Sequence, residues 1–238
     1  MNAFQLAAGR PATPAFDPAD LSGLAYRADP THSYSDTNGV TTPAVDGGVV
    51  GTVNPLVGGA YLKVDADGQK PTLDADGLNG RPILVFNGSH KLRATFALTQ
   101  PYTRVAVWRH RSPQNNSHVM MDGSTNDTAY LNFISAGTLR MYAGAAGPSR
   151  TAANDTWYSS AEVYAGASST LRLNGGAAGT GNPGAANPGG VNFGSQGSSG
   201  TSYGTQSDLA YLLVYSRLLD TGEQDSVFAW LRARFAHY

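Results

Sequence analysis

The chain contains no cysteine, so neither a disulfide framework nor a thiolate metal site is open to it. Charge is scarce: Asp, Glu, Lys and Arg make up 14% of the 238 residues, well under the usual quarter. Lysine occurs only at Lys63, Lys70 and Lys91, and glutamate only at Glu162 and Glu223. A chain so short of good helix formers is not built from long helices. Its formal net charge of −1 offers no basic stripe for nucleic acid. No apolar run approaches the length of a membrane span. Residues 1–10 carry neither a basic start nor a long apolar run, so no secretory signal is expected there.

What the chain has is glycine (29 residues), with serine, threonine and asparagine, placed between short apolar runs. Asp76 to Leu92 shows the pattern: an Asn79-Gly80 turn, an apolar run from Pro82 to Phe86, then an Asn87-Gly88 turn. Glycine supplies the positive φ of such turns and asparagine tolerates it. The run between them is too short for a helix and is rich in β-branched and aromatic residues, which predicts a buried strand. Comparable runs recur at Leu24–Ala28, 60–64, 70–73, 92–96, Tyr102–His110, 117–121, 129–134, Thr138–Tyr142, Trp157–Tyr164, 170–173 and 209–215. Short strands at this rhythm, with no helical pattern between them, predict a β-sandwich and disfavour a parallel βαβ fold. Residues 174–207 hold so little of any apolar size that a long loop or surface excursion is expected. One helix is expected near the C-terminus. Asp220 with Glu223 has capping-box spacing, Val227, Phe228, Leu231 and Phe235 share a face, and Arg232 and Arg234 suit its negative pole. Residues 1–20, with Pro11, Pro14 and Pro18, read as an extended arm.

Three segments together resemble a known family. They are L-S-G-L-A-Y-R-A-D at 21–29, G-L-N-G-R-P-I-L-V-F-N-G at 77–88, and L-A-Y-L-L-V-Y-S-R-L-L-D-T-G-E at 209–223. These are similar to LamG-like, concanavalin A-like lectin/glucanase jelly rolls, as found in bacteriophage virion proteins and bacterial surface proteins. Ala210 departs from the pattern, where an acidic residue is frequent. The resemblance implies an all-β, two-sheet antiparallel jelly-roll sandwich over residues 21–238, with the arm at 1–20 and a short C-terminal helix. It implies carbohydrate binding or particle assembly as usual roles, and the same sandwich hosts lectins, hydrolases and inert modules alike.

Glycoside cleavage needs two carboxylates about 5–10 Å apart. No alternating E-x-D-x-E run exists, Glu162 stands alone on its strand and Glu223 belongs to a helix start. The five histidines are scattered, and neither G-x-S-x-G nor H-x-x-x-H occurs. Catalysis is therefore not expected. A sugar site needs aromatic faces beside polar side chains. Asp122, Asn126, Asp127 and Tyr130 form one candidate cluster, and Asn154, Asp155 and Trp157 a second, joined only if their loops meet at one rim. The plainer reading makes Tyr130 and Trp157 core aromatics and the Asn and Asp residues turn formers. Asp65, Asp67, Asp74 and Asp76, in twin D-A-D-G segments, could offer oxygen ligands to Ca²⁺. No distal bidentate glutamate completes an EF-hand pattern, and two ordinary turns flanking a short strand at 70–73 are the plainer reading. No other cofactor is expected.

An exterior type of composition without an export signal favours a virion. The expectation is a non-enzymatic virion structural protein of capsid-decoration or tail type, made in the host cytoplasm. Its partners would be other virion proteins and further copies of itself, docked through Phe4, Leu6 and Phe16 of the arm. Host surface polysaccharide would be a compatible ligand, and neither nucleic acid nor membrane is expected. The alternatives are a carbohydrate-binding lectin module of a bacterial surface protein, extracellular or cell-surface in place, and lastly a glycoside hydrolase.

Overall fold

The computed structural model describes residues 16–111, 118–125, 129–135, 137–197 and 203–238. In chain order the strands are β1 (Leu24–Ala28), β2 (Ser33–Tyr34), β3 (Thr52–Val53), β4 (Leu62–Lys63), β5 (Thr72–Asp74) and β6 (Ile83–Asn87). Then follow β7 (Leu92–Thr95), β8 (Tyr102–His110), β9 (Val119–Asp122), β10 (Tyr130–Ser135), β11 (Thr138–Tyr142) and β12 (Ala146–Thr151). The last are β13 (Trp157–Tyr164), β14 (Ser169–Leu173), β15 (Gly179–Gly181), β16 (Gly190–Phe193) and β17 (Gln206–Tyr215), before helix α1 (Thr221–Phe235).

These strands form two antiparallel sheets of a jelly-roll sandwich. The first runs β15-β14-β13-β8-β17-β6-β5, and β1 shares the β6 edge of β17. The second runs β12-β11-β10-β9-β16-β7-β4-β3-β2. Alternation sets the core between them. From the first sheet Tyr102, Ala106, Trp108, Leu212 and Val214 face inward. From the second, Leu92, Met121, Leu131, Phe133, Leu139, Met141 and Phe193 meet them. Strand β17 is buried on both faces. A bulge at Ala210 resets its period, so that Leu209 and Leu212, three apart, both point inward while Tyr211, Leu213 and Tyr215 point out.

The outward face of the first sheet is closed by α1. Val227, Phe228, Leu231 and Phe235 are buried there, as the helical spacing predicts, and so is Trp230. Fully burying each such side chain contributes about 1.5–3 kcal/mol. Asp220 accepts from the Glu223 N–H at 2.9 Å, and the Glu223 carboxylate accepts from the Asp220 N–H at 3.0 Å. The far end of the helix is held by the 77–82 turn. Asn79 Nδ2 donates to the Phe235 carbonyl and Arg81 Nε to the Arg234 carbonyl, both at 2.6 Å. The turn thus satisfies helix-end carbonyls that would otherwise lack donors.

The expectation of a long loop over 174–207 is corrected by the structure. Residues 179–181 form an edge strand, and Gly190–Phe193 is an interior strand of the second sheet, between β9 and β7. Val191 and Phe193 supply its core face. Gly190 has φ +129°, and a side chain there would strike the Ala94 carbonyl of β7, so the glycine is what lets the strand enter. Four residues with two apolar side chains leave too short a pattern to stand out from a glycine-rich background. Strand β12, with Gly147 and Pro148, was hidden for the same reason. Its place at the edge of the sheet is where proline is tolerated.

Candidate functional site

Because α1 covers the first sheet, the outward face of the second sheet is where polar side chains reach solvent. On β10 and β11, Leu131, Phe133, Leu139 and Met141 point to the core, which turns Tyr130, Asn132, Arg140 and Tyr142 outward. Register pairs Tyr130 with Tyr142 and Asn132 with Arg140. The two tyrosine rings stack with centroids 4.5 Å apart and planes 11° apart. Tyr130, Arg140 and Tyr142 are half-buried. Two residues along the same face, about 7 Å away, stand Arg140 and Asn132. Among the described residues, the buried Arg140 Nε has no partner, and neither has the buried Asn132 Oδ1. On the neighbouring edge strand, Ala146 opposes Tyr142 and Ser149 opposes Arg140. Both are exposed and small, so the patch is open on that side.

Asp122 organises the opposite side of the patch. Its Oδ1 accepts from the N–H groups of Gly123 at 2.6 Å and Ala129 at 3.2 Å, and its Oδ2 from Gly197 at 2.8 Å. Burial pushes its pKa up to about 6 against the pull of these donors. With no exposed surface and both oxygens engaged, Asp122 holds two loops in place and is not offered to a ligand. Beside it, Asn192 Nδ2 donates to the carbonyls of Ser195 and Gly197, both at 3.0 Å.

The patch also rests on the core. On the inward face of the first sheet, Arg104 Nε donates to Glu162 Oε2 at 2.8 Å, and Arg104 Nη2 contacts the same oxygen. Arg104 Nη1 donates to the Asp122 carbonyl and Tyr164 Oη to the Tyr130 carbonyl, each at 3.3 Å. A buried ion pair of one sheet therefore supports the backbone under the other. Ser160 Oγ takes up the remaining carboxylate oxygen of Glu162 at 3.1 Å.

The two sequence-derived clusters do not meet. Asn126 and Asp127 lie outside the described residues. Trp157 starts β13, and Tyr164, whose hydroxyl reaches Tyr130, ends it. Seven residue steps, roughly 23 Å, separate them. Trp157 packs by the helix side of the first sheet, with the Arg109 guanidinium 5.0 Å from its ring centre. Asn154 stands by that end, its Oδ1 buried without a partner. Three of the four aspartates of the twin D-A-D-G segments are engaged within the chain. Asp65 is bridged by Lys91 at 2.8 Å and Arg93 at 2.6 Å, Asp67 by Lys70 at 2.9 Å, and Asp74 accepts from the Asp76 N–H at 3.2 Å. Among the described residues no group of three or more His, Cys, Asp or Glu side chains could hold a metal ion. Phe4 and Leu6 are outside the described residues. Phe16 packs against this chain's own cluster beneath α1. Arg140, Asn132 and Tyr142 were not singled out from the sequence. The signal for them was the alternation Y-x-N and R-x-Y on the two strands flanking Gly137, readable once the hairpin register is known.

The fold is a two-sheet antiparallel β-sandwich. No protein-family model and no curated protein matches the chain. Among solved structures, the sialidase of Trypanosoma rangeli superposes on 87% of this chain with a TM-score of 0.61 and 15% identity. The chain spans only about a third of that sialidase's length, 33%. Domain 4 of AbnA, a GH43 extracellular arabinanase from Geobacillus stearothermophilus solved with arabinotriose, is matched over 97% of its length. It covers 86% of this chain with a TM-score of 0.59 and 14% identity. At these identities the likeness establishes the fold. It overturns the expectation of a virion structural protein. The two neighbours named above are a sialidase and an arabinanase domain, and neither supports the virion, capsid or tail terms.

Proposed function

We propose that this chain is a non-catalytic carbohydrate-binding module of the concanavalin A-like class. The observation that carries the reading is the outward patch of β10 and β11. There a stacked tyrosine pair stands beside the Arg140 Nε and the Asn132 Oδ1, neither of which has a partner among the described residues. Ring faces match the apolar faces of a sugar, and the polar groups match its hydroxyls. The match to an arabinanase domain solved with an oligosaccharide supports it. So does the composition, which suits an extracellular or cell-surface setting. Among the described residues, the carboxylates beneath the patch are poorly placed for catalysis: Glu162 and Asp122 have no exposed surface and are engaged by Arg104 and by backbone N–H groups. A hydrolytic acid must reach its substrate.

Affinity electrophoresis through gels carrying a panel of neutral and acidic polysaccharides tests this reading. The expected result is retardation by at least one polymer, weakened about tenfold or more in Tyr142→Ala at an unchanged melting temperature, with no release of reducing ends. Absence of retardation across the panel overturns the reading, and so does retardation untouched by Tyr130→Ala/Tyr142→Ala. Release of reducing ends would move the protein to the hydrolases.

A further inference from the structure

The patch carries one group that a neutral sugar does not call for. Arg27, Arg93, Arg104, Arg172, Arg217 and Arg234 each hold a carboxylate of this chain. Arg140 holds none. Its Nε is buried with no acceptor, while the facing residue on β10, Asn132, is 6% exposed and leaves its Oδ1 unpartnered. A buried N–H without an acceptor is costly, and a guanidinium is a fixed planar fork matched to a carboxylate. The buried, unpartnered acceptor of Asn132 suits a hydroxyl donor beside that carboxylate. Tyr130 and Tyr142 lie two residues along the same face, about 7 Å away. One sugar residue can rest against a tyrosine ring and reach Arg140 with its acid group.

We propose that this patch binds an acidic saccharide, a uronic or sialic type of sugar, with the sugar's carboxylate on Arg140 and its ring on the Tyr130–Tyr142 pair. The proposal rests on the carbohydrate-binding reading above and adds the charge of the ligand. Shape alone would serve a neutral sugar; the unanswered cation is what selects an anionic one.

The test is isothermal titration of the full chain with two matched pairs of probes: trigalacturonate against its methyl ester, and sialyllactose against its methyl ester. In each pair the ring chemistry is kept while the carboxylate is masked. The expected result is that at least one acid binds about tenfold or more tighter than its neutral partner. Arg140→Gln abolishes that preference while keeping residual binding, and Arg140→Lys restores part of it. Near-ultraviolet circular dichroism confirms that each variant is folded. Equal affinity within both pairs, or an acid preference that survives in Arg140→Gln, overturns the proposal. Neutral probes that bind through Tyr142 without any acid preference overturn the acidic ligand and leave the carbohydrate-binding reading standing. If neither pair binds, the proposal fails, and the polysaccharide panel then decides separately whether the carbohydrate-binding reading fails with it.

Discussion

Glu162→Gln keeps the shape of the side chain and removes its charge, which leaves the Arg104 guanidinium alone between two sheets. Both side chains are almost wholly sequestered, with 1% exposure at Arg104 and none at Glu162. Removing one partner of such a pair costs about 3–5 kcal/mol, because the other charge stays dry and uncompensated. For a domain of this size each kcal/mol lowers the melting temperature by about 2–4 °C, so a fall of roughly 6–20 °C is expected. Arg104 also donates to the Asp122 carbonyl, so the variant loosens the backbone under the tyrosine patch as well as the core. Thermal and urea unfolding of Glu162→Gln, Arg104→Met and the double variant measures the pair as a cycle. The double variant should be more stable than Glu162→Gln, since it leaves no orphaned charge. A loss below about 1 kcal/mol, or strictly additive single effects, would refute the claim that the pair is a desolvated unit.

Two further outcomes follow from the core and from the histidines. Phe193→Ala should cost about 3–5 kcal/mol in urea unfolding, because its fully buried ring packs 4.9 Å from Phe86. A loss within about 0.5 kcal/mol, as for a surface loop, would return residues 190–193 to the loop class. His110 is buried, and desolvation with His118 beside it lowers its pKa from 6.5 to about 4. The unfolded chain therefore binds the proton first, so His110 contributes stability above pH 6.5 that is lost as pH falls towards 4. The loss reaches ~3 kcal/mol. His110→Gln should flatten the stability profile between those limits relative to the wild type, and an unchanged slope would sink the assignment. His237, lowered to about 4 by burial, acts in the same direction, and Asp122, raised to about 6 by burial, in the opposite one.

Much of the sandwich was legible because its long strands carry their own pattern. Tyr102–His110, Thr138–Tyr142 and Trp157–Tyr164 have enough β-branched and aromatic residues to define their ends. The helix was legible from Asp220, Glu223 and an apolar stripe. What escaped was set by tertiary pairing. Strand β16 is a strand because β7 and β9 supply its hydrogen bonds, and Val191 with Phe193 is too small a signal without them. The patch was harder still. Tyr130 stood out as an aromatic, but Arg140 and Tyr142 become its neighbours only through the β10–β11 register. The value of Arg140 lies in an Nε that finds no acceptor among the described residues, which no spacing in the chain reveals. Asn79 and Arg81 looked like turn residues and are, yet their amide and guanidinium also cap a helix more than 150 positions away in the chain.

The placing of α1 has a mechanical consequence. Phe16 packs against the apolar cluster that α1 shares with the first sheet, and the Pro18 carbonyl accepts from the Tyr215 hydroxyl. The first described residues and the end of the helix thus share one side of the sandwich, and the tyrosine–arginine patch lies on the other. A load applied through either end would be taken up by the helix layer and by β17. A polymer could lie across the opposite surface as on an open palm, with neither end of the described chain in its path.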